Sequence, residues 1–263
     1  MDLGIQNKVA LVAASSSGLG KAVALQLSKE GAKVAICARN EDNLNKARDN
    51  IAAETSGVVQ AYVADVTQSD QVKRMFTDIL SSLGSIDILV CNAGGPPAGF
   101  VDDFTPADYR KAVELNLMST ISLCYEAVPH MKKNRWGRIV CVASVSAKQP
   151  IPNLVLSNTA RAGVLGFAKS LSEQVAPYGI TVNSVCPGYT RTERVEELAQ
   201  TFADSGKGSV KDFYETIEAS IPMNRMGTTK EFAHTVAFLA SEGAGYITGS
   251  ALQIDGGYIK GLF

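Results

Sequence analysis

The residues best placed for chemistry come early in the chain. Ala14-Ser15-Ser16-Ser17-Gly18-Leu19-Gly20 closes the first apolar run and leads into an amphipathic one. Small residues and glycines at such a turn let main-chain N–H groups and the start of a helix approach a pyrophosphate. Ser15, Ser17, Gly18, Leu19 and Gly20 are therefore expected to hold a dinucleotide. The next apolar run ends in Ala38-Arg39. An acidic residue there would accept hydrogen bonds from a ribose 2′-hydroxyl, whereas a cationic one suits a 2′-phosphate. A solvated loop residue is the other reading of Arg39.

The cysteines and histidines point away from metal chemistry. Cys37, Cys91, Cys124, Cys141 and Cys186 are odd in number and include no CxxC pair. Four of the five lie in or beside apolar runs, as buried, reduced thiols of a cytoplasmic protein do. With two histidines, His130 and His234, and no clustered cysteines, no metal site is expected.

The elements that must position the glycine turn follow from the apolar pattern. Val9–Ala13, Lys33–Cys37, Val59–Ala64, Ile86–Cys91, Arg138–Ala143, Thr181–Cys186 and Ala251–Ile254 are short and rich in Val and Ile. Apolar on both faces, they read as strands covered by helices on each side. Between them, Leu19–Glu30, Glu41–Glu54, Ser69–Leu83, Pro106–Lys133, Leu156–Tyr178 and Thr229–Ser241 read as helices. This alternation predicts an α/β fold: a single-domain, Rossmann-type doubly wound parallel sheet of about seven strands, spanning residues 1–263. Residues 191–228 break the rhythm and contain Ser205-Gly206-Lys207-Gly208. Following the carboxyl end of a strand, they are expected to form a substrate lid, with a solvated surface excursion as the alternative.

Composition narrows the partners. The 263 residues are 46% hydrophobic and 19% charged, which excludes a disordered chain. Lys plus Arg number 25 against 26 Asp plus Glu, for a net charge of −1. A nucleic-acid partner would demand a basic excess, so none is expected. The first residues carry no cationic leader, and no apolar run reaches bilayer length, so neither a signal peptide nor membrane association is expected.

A series of ordered landmarks then identifies a family. Asp65-Val66, Cys91-Asn92-Ala93-Gly94, Asn116, Ser144, Cys186-Pro187-Gly188 and Asp255-Gly256-Gly257 occur at the expected places. Through them the chain resembles the short-chain dehydrogenase/reductase family over essentially its whole length. It is most similar to the 3-oxoacyl-carrier-protein-reductase-like members. The resemblance implies that Asp65 and Val66 contact an adenine and that Asn92, Ala93, Gly94, Pro187, Gly188, Thr190 and Thr192 line the cofactor. It also implies that Asn116 and Ser144 belong to a catalytic tetrad, and that the assembly is a homotetramer. The extended apolar faces of Pro106–Lys133 and Leu156–Tyr178 fit burial against a partner.

Two departures stand out. Ala13 and Ala14 occupy the positions where the family has Thr and Gly in its glycine motif. The family's YxxxK falls on Ser157-Asn158-Thr159-Ala160-Arg161, so Ser157 replaces the tetrad Tyr and Arg161 the Lys. A Tyr in that place protonates the carbonyl oxygen, and the Lys lowers its pKa. Ser157 is shorter and a far weaker acid. Arg161, at i+4, can still hold a cofactor ribose, but cannot join a proton relay. Tyr189, Lys148 or a water held by Ser144, Ser157 and Asn116 are candidate replacement acids. For Tyr189, packing beneath the lid is the favoured reading, and for Lys148 a solvated loop charge.

The expected function is an NADP(H)-preferring oxidoreductase acting on a small-molecule carbonyl or alcohol, with Ser144, Asn116, Ser157 and Arg161 at the reacting centre. A nucleotide-binding protein without redox turnover, or a non-redox lyase or isomerase, are the alternatives.

Overall fold

In the computed structural model, residues 2–206 and 208–262 are described, so Lys207 of the expected lid lies outside them. The first half runs β1 (Val9–Val12), α1 (Gly18–Lys29), β2 (Lys33–Ala38), α2 (Glu41–Thr55), β3 (Val59–Val63), α3 (Ser69–Leu83) and β4 (Ile88–Cys91). The second half runs α4 (Pro106–Val113), α5 (Ser119–Asn134), β5 (Gly137–Val142), α6 (Val155–Val175), β6 (Ile180–Pro187), β7 (Thr190–Arg191), α7 (Glu193–Asp204), α8 (Val210–Ala219), β8 (Gly227–Thr228), α9 (Thr229–Leu239) and β9 (Ala251–Ile254). Seven strands form one parallel sheet in the order β3-β2-β1-β4-β5-β6-β9.

Alternation along each strand builds two cores. Leu11, Ala35, Leu89 and Ile139 face one side, where Phe76 and Ile79 of α3, Leu123 and Met131 of α5 and Val164 of α6 pack. Ala10, Val12, Ile36, Val90 and Val140 face the other, against Leu27 of α1, Ile51 of α2 and Phe232 of α9. The strand order reverses between β1 and β4, and in open α/β sheets the ligand crevice lies outside the carboxyl ends of the strands at such a switch point. The doubly wound sheet expected from the apolar pattern is the one observed.

Two expectations are corrected. Pro106–Lys133 is not one helix: a π turn over Glu114–Met118 separates α4 from α5. The Ser119 hydroxyl donates to the Leu115 carbonyl at 2.6 Å and the Thr120 hydroxyl to the Asn116 carbonyl at 2.8 Å. Hydroxyls bonding back to the preceding turn occupy its carbonyls, which accompanies the wider local winding. The segment after β6 also contains a ribbon absent from the apolar pattern, β7 pairing with β8 in parallel. Two-residue strands are too short to leave a periodicity.

The return of this segment into α9 is fastened electrostatically. Arg225 donates to both Glu231 oxygens, at 3.0 and 2.6 Å, while Thr228 caps α9 through the same carboxylate. The Arg225 guanidinium, then the Thr228 N–H and hydroxyl, draw the Glu231 carboxyl from the usual 4.5 down to about 2. The lowered pKa means that its stabilising contribution is complete above the unfolded value and fades as pH falls toward 2. Solvent exposure keeps the contribution small. In acid unfolding followed by circular dichroism, Glu231→Gln is expected to lower stability by a constant amount at neutral pH, the gap to the native protein closing between pH 4.5 and about 2.

Candidate active site

The glycine turn sits at the crevice as expected, but its parts differ in role. Ser15 is fully buried; its hydroxyl donates to the Val12 carbonyl at 2.7 Å and accepts from the Cys37 N–H at 3.1 Å. It stitches β1 to β2 from within. Ser17 is exposed at the N-cap of α1 and makes no side-chain cap bond. With no acidic residue in the first turn of α1, the first N–H groups of this twelve-residue helix are available to an anion. Gly18 has φ +55°, and a Cβ there would stand 3.9 Å from Thr192 Cγ2, so the start of the segment after β7 reaches the turn. A Cβ on Gly20 would meet the Ala14 carbonyl oxygen at 2.4 Å, which only glycine avoids. Leu19 is half-buried beside α9's core.

Ala14 holds the left-handed conformation, φ 47°. An L residue with a Cβ pays roughly 1–2 kcal/mol there. The turn is kept in place by Asn92, whose side-chain amide donates to the Ala13 and Ala14 carbonyls at 3.3 and 3.2 Å. Asn92 thus joins the loops after β1 and β4. Arg39 is exposed just beyond β2 and makes no ion pair among the described residues. Asp65 is half-buried, its carboxylate accepting from the Thr67 N–H and hydroxyl, with Val66 buried beside it. Pro187 ends β6; Gly188 is pressed so close to Asp255 that a Cβ would lie 2.7 Å from the Asp255 Cβ. Thr190 is buried on β7.

Deeper in the crevice a single cation organises the centre. Arg161, on α6, is 7% exposed. Its Nη1 donates to the Val142 and Ala143 carbonyls at 2.9 and 3.0 Å, and its Nη2 to the Ala93 and Gly94 carbonyls at 3.3 and 3.5 Å. Burial pushes the guanidinium down to about 10, so it remains charged at neutral pH. Asn116, in the π turn, donates to the same Gly94 carbonyl at 2.9 Å, while its Oδ1 is buried without a hydrogen-bond partner. A buried polar atom left unpaired in a cleft marks a place for a water or ligand donor.

Ser144 lies just beyond β5 at the cap of a 3-10 turn over Val145–Ala147, its hydroxyl oxygen accepting from the Ser146 N–H at 3.1 Å, which leaves the Ser144 proton to donate elsewhere. The Ser146 and Ser157 hydroxyls lie 3.1 Å apart. Two sets of shared contacts result: Ser144 and Ser157 meet through Ser146, and Arg161 and Asn116 meet on the Gly94 carbonyl. Ser146, which joins the two serines, was not singled out from the sequence, since nothing separates it from any other loop serine. Lys148 is a correction: rather than a solvated loop charge, it is half-buried with its ammonium donating to the Ala251 carbonyl at 3.1 Å. Tyr189 packs edge-on against Tyr258 at 5.4 Å, and burial, with Tyr258 beside it, pushes its phenol up to about 12. Such a shift opposes proton donation near neutral pH.

Known proteins agree with this architecture. Residues 13–259 match the family described as enoyl-(acyl carrier protein) reductase. The 3-oxoacyl-[acyl-carrier-protein] reductase FabG of Haemophilus influenzae is 36% identical over 253 residues, covering 96% of this chain and 98% of its own. Among solved structures, L-sorbose reductase from Gluconobacter frateurii, complexed with NADPH and L-sorbose, superposes with a TM-score of 0.96 at 32% identity, each chain covered completely. An actinorhodin polyketide ketoreductase with NADPH gives 0.91 at 31% identity, covering 96% of this chain and 97% of its own. The chain belongs to the short-chain dehydrogenase/reductase family, and its relatives include NADPH-dependent reductases. No helix among the described residues is long and apolar enough to cross a membrane.

The strain at Ala14 makes a direct prediction. Ala14→Gly removes the conformational penalty but adds unfolded-state entropy worth about 0.4–1 kcal/mol, so it is expected to be neutral or stabilising by up to ~1 kcal/mol. Ala14→Val is expected to destabilise by at least about 1 kcal/mol, since a β-branched residue is least tolerated at positive φ. Urea unfolding of both variants measures the difference.

Proposed function

We infer that this protein is an NADP(H)-dependent carbonyl reductase or alcohol dehydrogenase, 3-oxoacyl-reductase-like, whose active site works without the family's Tyr and Lys. The observation that carries this reading is the cluster of Ser144, Asn116, Ser157 and a buried, charged Arg161 at the mouth of an uncapped helix-start turn. NADP(H) fits that crevice: Ser17, Gly18, Leu19 and Gly20 would take the pyrophosphate, Arg39 the 2′-phosphate and Asp65 with Val66 the adenine. Arg161, Asn92, Ala93, Gly94, Pro187, Gly188, Thr190 and Thr192 would take the nicotinamide half. When bound, the cofactor supplies hydride.

The chain's own groups do the rest. Ser144 donates a hydrogen bond to the substrate oxygen, its own oxygen already accepting from the Ser146 N–H. Arg161 adds positive charge to a pocket of low dielectric, which favours negative charge developing on that oxygen. The Asn116 Oδ1 orients a donor, and a water between Ser144, Ser157 and Asn116 delivers the proton. Residues 191–228 form the lid, with α7 and α8 joined by the Phe202–Phe213 contact at 5.6 Å. The exposed Met118 and Tyr125, in the π turn and on α5, support a homotetramer, and five buried free cysteines fit a cytoplasmic setting.

One observation favours the second reading, a nucleotide-binding protein without redox turnover. Arg161 spends its donors on four main-chain carbonyls, and neither Ser157 nor Tyr189 is a competent acid. NADPH oxidation with 3-oxo esters and activated ketones, beside calorimetric titration of NADPH, separates the two. Turnover supports the reductase; binding without turnover over that panel supports the second reading.

Two variants sharpen the assignment. Arg39→Ala is expected to cut NADPH affinity by about ten- to a hundredfold and leave NADH affinity unchanged, because a charge-assisted hydrogen bond contributes roughly 1.5–3 kcal/mol. Equal NADPH and NADH affinities in the native protein would remove the basis for this. Ser157→Tyr with Arg161→Lys is expected to raise kcat by roughly 10²–10⁴-fold, Ser157→Tyr alone by much less, because the phenol needs the ammonium beside it. A slower double variant would mean that the existing groups already form an efficient acid.

A further inference from the structure

The cysteines scattered in sequence cluster in space, contrary to the expectation from their spacing. Cys91 on β4 and Cys141 on β5 are direct register partners, and Cys124 comes down onto them from α5. The Cys91 and Cys124 sulfurs are 3.7 Å apart, and all three lie within 4.8 Å of one another. Each residue is at most 1% exposed. None of the three sulfurs takes part in the proposed carbonyl chemistry, so the cluster's role is independent of that reading.

We propose that Cys91, Cys124 and Cys141 form a three-sulfur site for a trivalent thiophilic metalloid, of which arsenite is the simplest source. Geometry is the first support. Three thiolates about 2.3 Å from a common centre place their sulfurs at most about 4.0 Å apart. The widest separation here needs to close by under about 1 Å to reach that. Charge is the second. The cluster lies in the apolar core formed with Leu89, Leu123, Ala127 and Ile139. A monovalent or divalent ion with three thiolates leaves net negative charge there, and an uncompensated buried charge is costly. A trivalent centre with three thiolates is neutral. In the empty site the three thiols share hydrogen bonds: those with Cys124 and Cys141, then burial, hold the Cys91 thiol well above its ordinary value, while those with Cys124 and Cys91 draw Cys141 well below it.

The reaction balances without an oxidant. Arsenous acid exchanges its three hydroxyls for the three sulfurs. Three S–H and three As–O bonds break, three As–S and three O–H bonds form, three waters leave, and arsenic stays trivalent. Entry requires local opening of α5 from the sheet, so loading is slow relative to a surface site.

The test incubates the full-length protein with sodium arsenite, keeping thiols reduced with a phosphine, since a dithiol would compete. Native mass spectrometry is expected to show one arsenic added with three hydrogens lost, and thermal unfolding to shift upward, because a ligand held by the folded state alone stabilises it. Cys124→Ser and Cys124→Ala are expected to lose the adduct, while Cys37→Ala retains it, Cys37 being equally buried but outside the cluster. If the Cys124 variants do not fold, X-ray absorption at the arsenic edge of the loaded native protein decides, three sulfur neighbours and no oxygen being expected. No stoichiometric adduct, an adduct that survives in folded Cys124→Ser, or arsenic with fewer than three sulfurs would overturn the proposal.

Discussion

A buried guanidinium held by main-chain carbonyls is the constraint on which the centre depends. Arg161 reaches from α6 to the ends of two neighbouring strands, bonding Val142 and Ala143 at the end of β5 and Ala93 and Gly94 beyond β4. Removing it would leave the Val142 and Ala143 carbonyls without this donor in buried surroundings, at about 1–3 kcal/mol each where water cannot reach, while Gly94 would keep its bond from Asn116. The charge is tolerated because four acceptors surround it, and burial lowers its pKa only to about 10. The loop that carries Asn92 is thereby tied to the end of β5, two residues before Ser144. Asn92 in turn ties that loop to the glycine turn. Polar contacts thus tie the carbonyls of Ala13 and Ala14, at the glycine turn, to the Asn92 loop, and that loop through Ala93 and Gly94 to Arg161 on α6.

That architecture bears on the proposed reading of Arg161 as standing where the family has a lysine. A lysine has three donors on a flexible stem, whereas arginine offers five in a fixed fork. The fork satisfies carbonyls on two loops at once and so supports the crevice floor. The same engagement limits its freedom to act on a substrate. Under the proposed function, catalysis falls to Ser144 and the positive charge of Arg161, with Ser157 and Ser146 as a hydroxyl pair that positions rather than ionises.

Much of this was legible in the chain. Runs such as Val9–Ala13 and Ile86–Cys91 are apolar on both faces, which is how a strand between two helical layers must read, and they appear as β1 and β4. The glycine turn was visible because Gly18 needs a positive φ and Gly20 a close approach, and few other residues meet either need. The π turn at Asn116 was not visible, since the apolar period runs through it and only the Ser119 and Thr120 hydroxyls betray the altered winding. The thiol cluster was hidden for a different reason. Residues 91, 124 and 141 have no sequence pattern, and their meeting depends on strand register and on how α5 lies across the sheet. The tethering of Lys148 to Ala251 is likewise a contact between distant segments.

The central claim is that Ser144 acts on the substrate oxygen in a pocket whose cation is structural and electrostatic. The most direct test is Ser144→Ala, followed by steady-state NADPH oxidation with activated ketones and by calorimetric titration of NADPH. The expected result is that kcat falls by about 10²–10³-fold, the cost of removing one donor to a developing oxyanion, while NADPH affinity is unchanged. Unchanged turnover in Ser144→Ala, or a native protein that binds NADPH and reduces none of the ketones, would contradict it.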